Sequence, residues 1–464
     1  MALERRLGLV QATALNMIDM VGIGPFVTMS MVVEAMKGPQ AIAAWIVGML
    51  LAFTDASVWS ELGAAMPRAG GSYVFLREAY GPGKWGRMMS FLFIWQTMIQ
   101  APLVVASGAI GFSEYFSYLW IRVAGSPLPD EGRHMIAAGL VVALLAVLYR
   151  GIGTLGKISV GLGICVIATI LWIIWGGFTH FNAGLAFGYP EGGWDLSTSF
   201  FAGLGAGCLK TVYSYLGYYN VCHLGAEVRK PEKLIPRSMF ISVAGIAVLY
   251  IAMNLSVYGV VPWQTLSQMS ASNANYPVSI FMEMVYGPAA ATVVTILILL
   301  VAVSSLFAVV LGYSRIPYAA ALDGNFFRIF ARVHPTKHFP TVSLVMICAI
   351  AFVFSFFGRL TVVIKAILAM RIVVQFIGQA VGIIVLRTRN PAVHLPFRMW
   401  LYPVPAVLAI VAWAALYYAT GEFMYYALIA IGVGLVVFLI RTRLKREWPF
   451  GAPVVGAIEA GSGD

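Results

Sequence analysis

Residues 19–26 read D-M-V-G-I-G-P-F, in the middle of an apolar segment that runs from about Leu7 to Met36. Two glycines and a proline are poor helix material: in a helix interior Gly costs roughly 1 kcal/mol against Ala, and Pro about 3. Inside a membrane such a break is harder to sustain. The freed N–H and C=O groups find no water there and must be satisfied by protein or by a wet cavity. A broken apolar span with Asp19 beside the break is therefore a candidate binding site, and a packing kink is the plainer alternative.

The composition around this stretch places it in a membrane. The 464 residues are 60% hydrophobic and 11% charged, with mean hydropathy +0.86, where a soluble domain carries about 25% charged residues. The expected fold is an all-α integral membrane protein. At about 20 apolar residues per crossing, twelve transmembrane helices can be read: 7–36, 40–66, 86–117, 133–149, 155–178, 199–226, 238–261, 285–314, 341–357, 361–386, 402–420 and 424–440. Membrane lipid is then the surrounding medium. No cleavable signal is expected, because M-A-L-E-R-R leads directly into a segment too long for a signal core.

The net charge of +11 follows from topology rather than from nucleic-acid binding. With the N-terminus in the cytoplasm, 23 of the 30 Lys and Arg residues fall on the cytoplasmic side, as the positive-inside rule requires. The expected location is the cytoplasmic membrane, multi-pass, with both termini cytoplasmic. The residues from 447 to 464 are expected to form a disordered tail. Cys165, Cys208, Cys222 and Cys348 lie in or at the ends of apolar segments without a CxxC pair. They read as buried thiols, not as disulfides or metal ligands.

A second interruption sits in the sixth span, F-F-A-G-L-G-A-G-C-L-K-T-V-Y-S-Y-L-G-Y-Y-N, where Gly217 lies among Tyr213, Tyr215, Tyr218 and Tyr219. Gly24 and Gly217 occupy the same place in the first span of two successive groups of five. An odd number of spans per group inverts the second group, and paired broken helices at matching positions point to a midplane site in a secondary transporter. The expected units are a first repeat at 1–180 broken at 21–25, a second at 181–398 broken at 214–218, and two final spans within 399–446. The half-helix that begins at Pro25 presents a partial positive end suited to a carboxylate. The half-helix that ends near Tyr215 presents free carbonyls suited to an ammonium. Together they match a zwitterion, although a diamine could use the carbonyl end alone.

Four stretches carry a family resemblance: V-G-I-G-P-F at 21–26; E-L-G-A-A-M-P-R-A-G-G-S-Y at 61–73; A-E-V-R-K-P-E-K-L-I-P-R-S at 226–238; and S-R-I-P-Y-A-A-A-L-D-G at 314–324, followed by L-R-T-R-N-P-A-V-H-L-P-F-R at 386–398. The chain resembles the amino acid–polyamine–organocation (APC) transporters, nearest the L-type amino-acid and polyamine permease branch. The resemblance implies a LeuT-type fold of two inverted five-helix repeats plus two helices, with substrate held between spans one, three, six, eight and ten. It implies that Val21, Gly22, Ile23 and Gly24 bind the substrate carboxylate, that Tyr213 is an aromatic gate, and that Ser214, Tyr215, Leu216 and Gly217 form the second unwound segment. Three departures stand out. Ile23 replaces a usual Ser. Pro25 is similar to the G-G-P-F of polyamine permeases, yet Met29 stands where those carry Glu. A Lys that many members place inside the fifth span has no counterpart near Ile164 or Cys165, since Lys157 lies too near the span's end.

Asp19, Asp55, Lys210, Lys365 and Arg371 fall within spans, at a cost of about 2.5–3.5 kcal/mol each on insertion scales. Asp19 lies three residues before Gly22, and Lys210 three before Tyr213. This predicts that Lys210 substitutes for the missing fifth-span cation, with Asp19 as its partner or as a proton carrier. Asp55 is expected to pair with Lys365 or Arg371. Ser304 and Ser305 are candidates for lining a cation site, although such hydroxyls often bond their own helix. For Glu61 and Glu227, at span ends beside basic loops, helix-end electrostatics competes with gate ion pairs, and His223 reads as structural.

The expected function is secondary active transport of a small-molecule α-amino acid by alternating access. A polyamine or other cationic-amine proton symporter is the alternative, and a channel or receptor the rival of another class. No G-x-S-x-G, H-E-x-x-H or paired Cys/His set supports an enzyme, and no phosphate-binding motif supports ATP coupling. No cofactor and no metal are expected, and coupling to H+, to Na+ or to exchange stays open. A disulfide-linked heavy chain, as in animal L-type exchangers, needs a Cys between spans three and four. Residues 118–133 hold none, so no such partner is expected.

Overall fold

The computed structural model describes residues 5, 7–68, 70–150, 155–271, 275–335, 339–356, 359–389 and 393–453, with the backbone alone for 150 and 155–165. Apart from three isolated β-bridges, the regular structure among these residues is helical. The chain opens with α1 (Leu9–Met20) and α2 (Gly24–Met36), followed by α3 (Ile42–Ala65), α4 (Ser72–Ala79), α5 (Trp85–Ala124), α6 (Asp130–Arg150), α7 (Leu155–Thr179) and the single turn α8 (Ala183–Ala186). Next come α9 (Thr198–Tyr215), the turn α10 (Asn220–His223), α11 (Pro231–Tyr258), α12 (Trp263–Ala271), α13 (Pro277–Tyr286) and α14 (Pro288–Leu322). The last are α15 (Thr341–Phe354), α16 (Leu360–Arg371), a π-helical stretch at Ile372–Ile377, α17 (Gly378–Arg389), α18 (Val404–Ala419) and α19 (Phe423–Lys445).

Seven helices are long and apolar enough to cross a membrane, and α1 and α2, bent by 48° at their break, make an eighth. This falls short of the twelve spans expected because α15 and α18 hold 14 and 16 residues, α9 stops at its own break, and α7 counts only over Val166–Thr179. The outer surface supports a lipid environment. On α19, Leu428, Ile429, Val433, Val436 and Ile440 are all exposed, a contiguous apolar face that a soluble protein would cover.

The segments read as loops hold more structure than expected. The basic stretch 67–85 contains α4, because Tyr73, Val74, Phe75 and Leu76 bury their side chains and Gly70 and Gly71 supply the positive φ that starts the turn. The segment after α11 contains α12 and α13. The expected tail is docked at its start: Glu447 pairs with Arg87 at 2.8 Å, and Trp448 meets Trp85 edge to face. Residues 454–464 lie outside the described residues.

The two broken segments pack against each other at the centre. α2 lies on α9 and α1 on α10, so the second half of one broken segment meets the first half of the other. They therefore run antiparallel. Helices α3 and α11 flank this pair, and α14 and α16 pack on α5 across it.

A candidate binding cavity between the helix breaks

The first break is built by Gly22, Ile23 and Gly24. Val21 still donates to the Met17 carbonyl, and the next helical bonds are those of Phe26 and Val27 to Ile23. The N–H groups of Gly22, Ile23 and Gly24 have no acceptor among the described residues, and Pro25 stands at the start of α2, where it needs none. The second break follows Tyr215. Leu216 leaves the helix at φ −60°, ψ 146°, and residues 216–219 form a turn, so the interruption starts two residues later than 214. The carbonyls of Tyr213, Tyr215 and Leu216 accept no hydrogen bond among the described residues.

The two breaks touch. Gly217 has φ +120°, and a Cβ on it would lie 2.8 Å from the backbone carbon of Asp19 and the nitrogen of Met20. Only glycine allows this approach. Polar side chains lock it. The Tyr250 hydroxyl on α11 donates to the carbonyl of Met20 at 2.8 Å, with that of Ser214 at 3.3 Å. Asn16 accepts from the Val221 N–H at 2.9 Å, and Thr28 and Ser214 share a hydrogen bond of 2.8 Å. Sequence reasoning missed Tyr250 and Asn16, whose partners are carbonyl and N–H groups freed only by the folded breaks.

A cavity of about 540 Å³ opens beside this junction. Of the residues singled out in the sequence, Asp19, Gly22, Ile23, Gly24, Tyr213, Ser214, Leu216, Gly217, Tyr219, His223, Glu227, Ser305 and Arg371 line it. Val21, Pro25 and Tyr215 are buried behind it, the Tyr215 ring packed between Trp45 and Tyr250. Ser305 faces the first break, with its Oγ 2.8 Å from where a Gly22 Cβ would stand. Ser304, one residue away on α14, is buried outside the cavity. One end of the cavity reaches Gly312 and Arg315, both exposed. The other is bounded by the Tyr213 ring, which packs over Gly24 and whose hydroxyl bonds Ser107 at 2.8 Å.

The predicted Asp19–Lys210 pair does not form. The Lys210 Nζ donates to the Ala206 carbonyl of its own helix at 3.1 Å, and the charges that reach it are Glu34 and Lys365. The charge that faces Asp19 is Arg371. The reason is directional. Both residues lie one turn before their breaks, but the broken segments run antiparallel, so the two turns lie on opposite sides of the junction. Lys157, Ile164 and Cys165 have side chains outside the described residues.

Asp55 resolves toward Arg371 rather than Lys365, but at longer range. Its carboxylate accepts from the Tyr218 hydroxyl and from Trp413 Nε1, the latter at 3.0 Å, with the Arg371 charge in reach. Arg371 itself ends α16 where the π-helical stretch begins. It is 4% exposed and lines the cavity with Tyr219 and Tyr313. A π-helical turn inside a helix often marks a functional site. Glu61 forms an ion pair rather than acting through the helix end: it is fully buried, pairs with Arg387 at 2.6 Å and accepts the Met399 N–H at 2.8 Å. His223 lines the cavity and stacks its edge on Trp59 and Tyr219.

Apolar membrane-crossing helices that enclose a cavity at two facing helix breaks define a polytopic membrane transporter. The chain belongs to the amino acid permease family, whose model matches residues 7–438. It is similar to the methylthioribose transporter of Bacillus subtilis (strain 168), 24% identical over 454 residues that cover 95% of this chain and 94% of the relative. The human cystine/glutamate transporter is 24% identical over 447 residues, 94% of this chain and 84% of its own. The serine/threonine exchanger SteT of Bacillus subtilis (strain 168) is 24% identical over 457 residues, 94% and 95% respectively. The family and these relatives are transporters, not enzymes.

Proposed function

We propose that the chain is a secondary active permease that moves an α-amino acid across the cytoplasmic membrane by alternating access. One observation carries the reading: among the described residues, three N–H groups without acceptors, at Gly22–Gly24, and three carbonyls without donors, at Tyr213, Tyr215 and Leu216, belong to two breaks that touch. The start of α2 suits a carboxylate and the end of α9 an ammonium. With Ile23 in place of a hydroxyl residue, the carboxylate rests on backbone donors. In this reading the membrane is crossed twelve times, by α1–α2, α3, α5, α6, α7, α9–α10, α11, α14, α15, α16–α17, α18 and α19. Residues 1–180 and 181–398 form inverted repeats of the LeuT type, 399–446 form the last two spans, and both termini are cytoplasmic. No disulfide-linked partner belongs to the scheme.

A polyamine carrier is the second reading, and Asp19 in the cavity favours it. Arg371 in the same cavity opposes it, because a buried guanidinium repels a polycation. The test is a thermal-shift panel on the purified protein with leucine, alanine, glutamate, arginine and putrescine, followed by counterflow in proteoliposomes. Stabilisation by at least one α-amino acid, with saturable counterflow, is expected. Stabilisation by putrescine alone overturns the choice, and flux linear in substrate points to a channel.

A further inference from the structure

Arg371 is a buried cation whose donors are only partly used. An arginine carries five N–H donors. Its Nε–H goes to Gln375 at 3.2 Å. Its Nη2 hydrogens go to the hydroxyls of Tyr219 at 2.5 Å and Tyr313 at 3.0 Å. Among the described residues Nη1 makes no hydrogen bond, and no carboxylate lies within ion-pair distance of the guanidinium. The two tyrosines are equally unspent. Tyr313 accepts a second bond, from Gln100 at 3.0 Å. Neither hydroxyl hydrogen has an acceptor among the described residues. Arg371, Tyr219 and Tyr313 come from three different elements and all line the cavity. The nearest acidic groups are otherwise placed: Asp55 is held by Tyr218 and Trp413, and Asp19 acts on Arg371 across the cavity without bonding to it.

We propose that Arg371, Tyr219 and Tyr313 form a second anion subsite in the cavity, which takes the side-chain carboxylate of an acidic α-amino acid. The proposal rests on the reading that the junction of the two breaks binds the substrate's α-carboxylate and ammonium. It adds what the side chain must be. A planar carboxylate matches the free edge of a guanidinium and accepts from the flanking hydroxyls at the same time. A neutral amide of the same size fits the space but offers one acceptor oxygen and no charge. An apolar side chain would strip water from four donor hydrogens and return nothing to them. A diamine would place a cation against a cation.

Isosteric pairs test this without ambiguity of size. Competition binding on the purified wild-type protein compares glutamate with glutamine and aspartate with asparagine. We expect the acid to be preferred on the order of 10-fold or more, and Arg371→Gln to bring the pair to within about 2-fold, the range in which a buried site discriminates by an unpaired polar group. If Arg371→Gln does not fold, Tyr313→Phe, which keeps the ring, must still narrow the wild-type ratio; an unchanged ratio overturns the proposal. If the wild-type protein binds glutamine as well as glutamate, or if Arg371→Gln weakens both alike, the subsite does not read the side chain. The permease reading survives either result. If no α-amino acid binds the wild-type protein at all, the permease reading has failed and takes this one with it.

Discussion

At Gly217 the backbone of one broken segment passes so close to Asp19 and Met20 that a methyl group has no room. A Gly217→Ala protein must hold an L-residue at φ +120° and push two backbones apart. A destabilisation of ~1–3 kcal/mol follows from the strained backbone alone, and uptake should fall further than the melting temperature suggests, because the junction itself is displaced. Thermal denaturation and proteoliposome uptake measured together check this. Tyr250→Phe keeps the ring between Trp45 and Tyr215 but removes the donor to the Met20 carbonyl. Leaving a buried carbonyl unsatisfied costs ~1–3 kcal/mol, so a lowered melting temperature with a normal expression level is expected. The glycines and the proline of both breaks could be found in the sequence because their helix cost is intrinsic to the residue. Tyr250 could not, because a tyrosine in the middle of an apolar helix looks the same whether its hydroxyl is idle or bridges two helix ends.

At the scale of elements, the direction of a helix decides which charges meet. Asp19 and Lys210 share a sequence position relative to their breaks, yet α1 meets α10 and α9 meets α2. The antiparallel crossing carries Lys210 away toward Glu34 and Lys365. Lys210→Met should therefore leave the uptake rate within about 2-fold of wild type, the margin expected when a part-buried side chain bonded only to its own helix is removed. Asp19→Asn should lower uptake clearly, because Asp19 faces the cavity. Equal losses in the two variants would contradict this separation. Residue spacing was legible in the sequence, and pairing was not, since pairing depends on which half-helix lies beside which. The helix α4 and the π-helical stretch after Arg371 escaped for different reasons. The first is too short to show a period against its glycines. The second differs from an α-helix by one surplus residue and has no composition of its own.

For the whole molecule, the cavity has one wet end. It reaches exposed Gly312 on α14, where a Cβ would meet nothing within 4 Å, so Gly312→Cys is a tolerated probe. The described native cysteines, Cys208, Cys222 and Cys348, are buried and give little background. In oriented vesicles, a membrane-impermeant thiol reagent should modify Gly312→Cys from the side of the basic loops and not from the other, and substrate should slow the reaction. Modification from the opposite side alone would invert the proposed orientation. Overall class was the most legible property, because composition and the distribution of Lys and Arg act over the whole chain. The number of crossings was less so, since short apolar helices such as α15 and α18 do not declare their depth.

The π-helical stretch at Ile372–Ile377 makes this protein unusually informative about a missing residue. Deleting one residue from a membrane helix normally turns everything beyond the cut by about 100° and scrambles its packing. Here the helix already holds one residue more than its hydrogen-bond ladder needs, so a single deletion within 372–377 lets α16 and α17 join as one regular α-helix. The register between Arg371 and the rest of the span is then lost while the span itself survives. A shortened chain that still folds, transports, and no longer tells an acid from its amide would show that recognition here is stored in a length of chain as well as in the identity of a side chain.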